Sequence, residues 1–484
     1  MIPSLHSSPT GFSESERYLG EIAERAFLTF WSHPNLFRTR AKELADLVII
    51  FGNDIIIFSD KSCEYKPGPH GWSRWHKRAV LESAHQLWRA ERWIREHPTK
   101  IFTDSTCEKP FPFPVPRAPA IHLVAVATGA HDGSVATGRD GSLSIATDSD
   151  GSTEFTIGDI DRNKPFVHVF DDICLTMLLD ELDTAADFLS YIKCREAFLR
   201  SGPAVWASGE RDLLAHYLNS YRNGRHDFVI PYTETPPTCV IVDEDWDEFQ
   251  LSEKYARKKE ADAESYLWDR LIENVASHAD RGSLVVGQEL GLVGTEGLLR
   301  LLASENRFRR RLLARHLNEL RRLSTTGPED LRMRSVFDAD DATRAYVFCV
   351  LRRGRRKESD YRSDRRSMML PHLIITKSRR SELREVIGIA VGPANDPDES
   401  IDVAARTFDS WDDDAQAQAE QLCEKLGWDR DTLALEHHQH AHEYPIAPPS
   451  ERRIRPATTS KRPSGADSKR KRQLQKRARK KARR

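Results

Sequence analysis

The chain has 484 residues, enough for roughly two or three domains with substantial cores. Its 73 Lys and Arg nearly balance its 74 Asp and Glu, and it contains neither a long apolar run nor the charged and apolar regions of a signal peptide. These features exclude a membrane span and lead us to expect a cytoplasmic protein with no membrane partner. The seven cysteines are scattered and lack CxxC spacing, so they indicate neither a disulfide framework nor a zinc cluster.

The first predicted element is a helix over residues 13–31, opened by Ser13 as a plausible N-cap. Its apolar residues fall on one face at helical spacing, and Glu16 falls on that same face. Two interpretations of Glu16 stay open. It completes a capping box with Ser13, or it points inward as a functional acid.

The next element is a hairpin of two apolar, β-branched runs, Leu47–Phe51 and Ile55–Phe58. Gly52-Asn53-Asp54 between them is a turn-forming triplet. Because both runs are continuously apolar, the hairpin is expected to be buried on both faces. Asp46 stands where the first strand begins, and Ser59-Asp60-Lys61 stands where the second ends. In an antiparallel hairpin these ends lie side by side, which suits metal-dependent phosphodiester chemistry.

A long helix is predicted after the hairpin, from Ser73 to Glu96. Gln86 falls within its apolar stripe, between Trp75 and Trp93. A buried amide needs hydrogen-bond partners, or its burial costs roughly 1–3 kcal/mol. Gln86 therefore either bonds to a backbone edge or positions a ligand near the hairpin.

The remaining elements up to residue 202 are strands at Ile121–Thr128 and Pro165–Phe170 and a helical stretch from Asp171 to Arg200. The polar stretch 129–153 between the strands is predicted to be a surface loop or flap. The order of helix, hairpin, helix, strand, loop, strand and helices indicates a compact α/β unit.

Beyond residue 202 the pattern predicts a mainly helical region, 203–330, and then a small α/β domain, 331–445. The basic amphipathic helix around Arg307–Arg315 either lies along a phosphate backbone or packs against acidic groups of the protein itself. The cluster of His437, His438, His440 and His442 lacks the Glu of a metalloprotease motif.

The last residues, 446–484, are predicted to be a disordered basic tail. Residues 451–484 contain 16 Lys and Arg against 2 acids, a net charge of +14, so the rest of the chain carries −15 of the total −1. Such a tail is expected to attract phosphates without sequence preference. A solubilising tail and a nuclear-import signal have the same composition.

The order of elements in residues 1–202 resembles the restriction-endonuclease-like nucleases, the superfamily named for its PD-(D/E)xK motif. The resemblance implies an N-terminal domain of that α/β fold. It also implies that Glu16, Asp46 and Asp60 hold Mg²⁺ or Mn²⁺, that Lys61 stabilises the attacking hydroxide or the phosphorane, and that Gln86 is the Gln that one branch carries on its helix. The expected acid two residues before Lys61 is replaced by Ser59, and Asp60 follows one residue late.

Two functions follow from the resemblance. The first is a metal-dependent nuclease, endo- or exonuclease, that hydrolyses DNA or RNA, in the manner of a bacterial anti-phage defence system, and whose tail or C-terminal part engages nucleic acid or a partner protein subunit. The second is a nuclease-fold protein that has lost its metals and serves as a nucleic-acid-binding or complex-assembly subunit.

Overall fold

The computed structural model describes residues 14–222, 225–230, 237–280, 291–326, 329–337, 341–396, 400–427 and 442–445. The fold is mixed α/β, as the sequence predicts. The described residues divide into two units: those from 257 to 445 form one, here called the C-terminal unit, and those from 14 to 256 form the other, the N-terminal unit. This division does not test the predicted domain boundaries at residues 202, 330 and 445, which stay predictions.

The N-terminal unit contains both helices and strands. In chain order these are α1 (Glu14–Trp31), β1 (Ser32–Thr39), β2 (Lys42–Phe51), β3 (Asp54–Asp60), α2 (Gly71–His76), a π-helical turn (Lys77–Leu81), α3 (Glu82–Glu96), β4 (Ala120–Val126), α4 (Ala130–Ala136), β5 (Ser144–Ala146), β6 (Thr156–Ile157), β7 (Val167–Phe170), α5 (Asp172–Glu181), α6 (Ala185–Leu199), β8 (Ala204–Ala207), α7 (Glu210–Asn219), β9 (Tyr221–Arg222), β10 (Arg225–His226), β11 (Cys239–Ile241) and α8 (Trp246–Gln250). Helix α9 (Glu253–Asp262) begins in this unit.

The main sheet of the N-terminal unit has five strands in the order β1-β2-β3-β4-β7. The first three strands form an antiparallel meander, whereas β4 and β7 each run parallel to their neighbour. The helical segment 71–96 is the crossover between β3 and β4, as a parallel pair requires. It covers one face of the sheet, where Val48, Ile57 and Leu87 are almost fully buried.

The predicted hairpin is confirmed. Strands β2 and β3 pair from Leu47 with Phe58 to Phe51 with Asp54, around a turn at Gly52 whose φ is 62°. Residues Leu47–Phe51 and Ile55–Ser59 are each at most 8 % exposed, so both faces are covered. A glycine is favoured at Gly52 because a side chain at this positive φ would be strained.

The prediction for residues 129–153 is wrong in part. Helix α4 and strand β5 lie within this stretch, and Ala130, Gly133 and Ser134 are buried. Strand β5 joins a second sheet of order β11-β8-β5-β6. Polar, Gly-rich composition predicted a surface loop, but small side chains also permit close packing: a Cβ added at Gly133 would stand 2.6 Å from the Tyr65 side chain.

The C-terminal unit contains α10 (Tyr266–Asp280), α11 (Gly291–Ala303), α12 (Arg307–Thr326), β12 (Leu331–Phe337), β13 (Arg344–Leu351), α13 (Glu358–Arg379), β14 (Glu385–Val391), β15 (Asp402–Thr407) and α14 (Asp413–Lys425). Its sheet has the order β12-β13-β14-β15, and β13 and β14 are parallel. The strand–helix–strand pattern predicted there is confirmed, with α13 as the crossover. Among the described residues, no helix is both long and apolar enough to cross a membrane.

Candidate functional site

The candidate site lies at the open end of the β2–β3 hairpin, here called the hairpin edge and defined by Asp46, Ser59, Asp60 and Lys61. The paired register stops at Leu47 and Phe58, so one further step places Ser59 opposite Asp46. Successive strand residues point to opposite faces, so Ser59 and Lys61 share one face and Asp60 points to the other. The sequence prediction that these residues lie side by side is therefore consistent with the observed register.

Asp46 is held in place by the backbone of the second strand. It is 8 % exposed, and its Oδ2 accepts a hydrogen bond of 2.6 Å from the Asp60 N–H. This bond lies where the pairing of β2 with β3 ends. A carboxylate bonded to a backbone N–H is a charge-assisted pair, so Asp46 is fixed relative to Asp60.

Asp60 is fixed from the neighbouring strand. Its Oδ1 accepts a hydrogen bond of 2.8 Å from the Thr128 hydroxyl, two residues after β4 ends. Lys61 is half-buried, and its backbone N–H donates to the Val126 carbonyl at 3.2 Å. The carboxyl ends of the parallel strands β3 and β4 thus meet at the hairpin edge, the position at which open α/β sheets commonly bind ligands.

Ser59 occupies the position where the sequence resemblance led us to expect an acid. Its side chain is fully buried, and within the described part of the chain its hydroxyl has no hydrogen-bond partner. The adjacent strand residue on this face, Ala125, is also fully buried. This position therefore has little access to solvent.

Among the described residues, neither flanking helix has a side chain of the predicted set at the hairpin edge. The backbone of Glu16 lies in α1, but its side chain is outside the described residues. Gln86 is half-buried on α3, beside a buried stripe that includes Ser83, Leu87 and Ala90. Among the described residues, Gln86 forms no hydrogen bond with the hairpin edge, so its convergence on the site stays a prediction.

The donor set at the hairpin edge is compatible with Mg²⁺. Asp46 supplies carboxylate oxygens, and Asp60 supplies either its carboxylate or its backbone carbonyl. Oxygen atoms are the ligands that this ion prefers, and Mg²⁺ is usually held by one or two carboxylates together with waters and substrate phosphates. Within the described ranges there is no group of three or more His, Cys, Asp or Glu side chains placed to hold a metal ion. His437, His438 and His440 lie outside those ranges, whereas His442 lies within them.

A buried polar network on the other side of the main sheet was not predicted. Arg195 on α6 forms two hydrogen bonds of 2.7 Å with the carboxylate of Glu210 and one of 3.2 Å with Nδ1 of His168. Burial is the largest influence on the pKa of His168 and lowers it well below its usual value. No local pattern connects Arg195, Glu210 and His168, because 15 and 27 residues separate the partners.

Asp171 lies at the carboxyl end of β7, on the same edge of the sheet as Asp60. It caps α5 by accepting a hydrogen bond of 2.7 Å from the Cys174 N–H. Burial raises its pKa to about 6, and this hydrogen bond opposes the rise. The cap was not predicted, although an Asp directly before a helix is its usual sequence signal.

Asp54 also had no predicted role beyond the turn. Burial tends to raise its pKa, but hydrogen bonds from His122 and Lys193 outweigh that effect and lower it. The Lys193 ammonium lies 2.7 Å from the Asp54 carboxylate. This pair ties α6 to the end of the hairpin opposite the candidate site.

The basic helix α12 belongs to the packed interior of the C-terminal unit. Arg307, Arg309, Arg310 and Arg311 are all at most 9 % exposed. Arg311 lies 2.9 Å from Asp262, and both Arg307 and Arg310 contact Asp269. Of the two alternatives left open by the sequence, the structure favours packing against acidic groups over binding of a phosphate backbone.

Comparison with known proteins identifies no relative: no family model matches the chain, and neither the curated proteins nor the solved structures give a significant match.

Proposed function

We propose that the N-terminal unit is a metal-dependent nuclease that hydrolyses phosphodiester bonds in DNA or RNA. The observation that carries the proposal is the Asp46 carboxylate, which is fixed against the backbone N–H of Asp60 at the open end of an antiparallel hairpin. The hairpin is followed by a helical crossover and a parallel strand, the order implied by the PD-(D/E)xK resemblance.

In this proposal Asp46, together with Asp60 through its side chain or its backbone carbonyl, would hold Mg²⁺ or Mn²⁺, and Glu16 is the predicted third ligand. A bound divalent cation supplies charge that polarises the scissile phosphate and lowers the pKa of an attacking water. Lys61, half-buried and next to Asp60 in the sequence, would place its ammonium against negative charge that develops on the phosphoryl oxygens. Asp46 also keeps Asp60 in position through the bond to its N–H.

The decisive variant is Asp46→Asn, because an amide oxygen still accepts the Asp60 N–H bond but carries no charge. We expect cleavage of DNA or RNA in Mg²⁺ or Mn²⁺ to fall by about 100-fold or more in Asp46→Asn and in Lys61→Met. Asp54→Asn is the matched control, since Asp54 lies at the other end of the same strand, and it should cleave at the wild-type rate. If Asp46→Asn and Lys61→Met cleave at the same rate as Asp54→Asn, the assignment of the catalytic residues is refuted.

A second candidate function is a nuclease-fold protein that binds nucleic acid or a partner without cutting it. The observation in its favour is Ser59, fully buried where the family has an acid. Metal binding separates the candidates, because a ligand that binds only the folded state raises the melting temperature. A rise in Tm with Mn²⁺ that is absent in Asp46→Asn supports the nuclease. No rise in the wild-type protein, together with no cleavage, supports the second candidate.

A further inference from the structure

A groove of about 560 Å³ runs along the outer face of α3 in the N-terminal unit. Four cationic side chains line it: Arg89, Arg92 and Arg95 from the helix, and Lys164 from the segment that precedes β7. We call this surface the α3 groove. It also contains two carboxylates, Glu91 and Glu96.

The cations of the α3 groove are not all neutralised by these carboxylates. Glu91 is buried and pairs with Arg95 at 2.9 Å. Arg89 and Arg92 are exposed, and within the described part of the chain neither forms an ion pair. The Nε–H of Arg89 donates to the His85 carbonyl of its own helix at 3.2 Å. This bond anchors one side of the guanidinium, and the side chain is otherwise exposed to solvent.

Lys164 is positioned by the indole of Trp88. Its ammonium lies 4.2 Å from the centre of the Trp88 ring, and the Trp88 Nε1–H donates to the Pro165 carbonyl at 2.9 Å. Lys164 also lies 3.5 Å from Asp161. A cation held over a ring in this way is pre-ordered, so it loses less side-chain freedom when an anion binds.

We propose that the α3 groove binds the phosphodiester backbone of a nucleic acid. Arg89 and Arg92 are three residues apart, which separates them by about 4.5 Å along the helix. Residues three apart are neighbours on one face of a helix, so the two arginines can contact phosphates of the same strand. The proposal rests on the proposed function, which supplies the reason to choose nucleic acid over an acidic protein segment.

The helical segment that contains the groove leads to the candidate site. Its first part is tied to the loop after Lys61, because the Trp75 Nε1–H donates to the Cys63 carbonyl at 2.9 Å. From Arg89 back to Trp75 the segment spans about 21 Å at 1.5 Å per residue. A strand of roughly six nucleotides covers that length. A substrate bound at both places therefore extends to one side of the scissile bond.

The test measures binding of a fluorescein-labelled 20-base-pair DNA to the full chain in EDTA over a range of salt concentrations. Arg89→Gln and Arg92→Gln should each flatten the plot of log K against log salt by about 0.9, and the double variant by about twice that. Arg211→Gln is the control, because Arg211 is exposed on α7 and does not line the groove. Its slope should equal that of the wild-type protein.

An unchanged slope in the double variant, or an equal change in Arg211→Gln, overturns the proposal. So does a double variant that loses binding to a polyglutamate peptide while it retains wild-type binding to DNA, because the groove would then fit an acidic protein segment. Binding in EDTA does not depend on cleavage. If the protein binds DNA through the groove but does not cleave it in Mg²⁺, the groove proposal stands and the nuclease proposal is refuted.

Discussion

Helices α3 and α12 both carry several arginines, and the structure uses them in opposite ways. On α3, Arg89 and Arg92 are exposed beside a groove and form no ion pair within the described residues. On α12, Arg310 and Arg311 are buried and contact Asp269 and Asp262. Basic composition thus indicates a phosphate-binding surface only when the charges reach solvent, and pairing with distant carboxylates decides whether they do.

The largest effect expected from this comparison is on stability in the C-terminal unit. Asp269→Ala leaves the buried Arg307 and Arg310 without their shared carboxylate, and removal of one partner of a buried ion pair costs about 3–5 kcal/mol. Urea denaturation followed by fluorescence measures the loss. Arg315→Ala is the control, because Arg315 is 44 % exposed and should contribute at most about 1 kcal/mol. A loss below about 1 kcal/mol in Asp269→Ala would contradict the structural role given to these arginines.

A buried acid that is not paired with an arginine should make the stability of the protein depend on pH. Asp171 forms no ion pair among the described residues, and its pKa is raised from 3.8 to about 6, chiefly by burial. The folded state therefore keeps a proton that the unfolded state releases between those pH values, so stability falls as pH rises through this window and levels off above it. The loss relative to Asp171→Asn, which retains the cap to Cys174, should be roughly 3 kcal/mol.

Unfolding of the wild-type protein and of Asp171→Asn in urea at pH 4, 5, 6 and 7 measures that difference. The wild-type protein should be the less stable of the two at pH 7 and should gain on the variant as pH falls. A constant difference across this range would show that Asp171 does not titrate with a raised pKa.

The smallest expected effect is on stability when the exposed arginines of α3 are replaced. Arg89→Ala and Arg92→Ala remove exposed charges, and such surface substitutions usually change the free energy of unfolding by less than about 0.5 kcal/mol. Urea denaturation of the double variant checks this value. A loss as large as that in Asp269→Ala would mean that these arginines support the fold and do not belong to a binding surface.

Much of the fold was predictable because its signals are local. Continuous β-branched runs around Gly52-Asn53 specify the hairpin, and helical spacing of apolar residues specifies α1 and the segment 71–96. Residues 129–153 were predicted wrongly in part because helix α4 is short and is stabilised by burial of Ala130 and Ser134, and not by a periodic pattern. The helical stretch 171–200 is interrupted at Thr184, which caps α6.

The candidate site was predictable only as a set of residue types at the open end of one hairpin. The sequence by itself determined that Asp46, Ser59, Asp60 and Lys61 flank a hairpin, because strand pairing around a tight turn follows from local chain geometry. The tertiary structure decided what holds them, since Thr128, just after β4, is 68 residues from Asp60, and chain folding alone brings such residues together. It also decided which arginines face solvent, because burial depends on what packs above a helix.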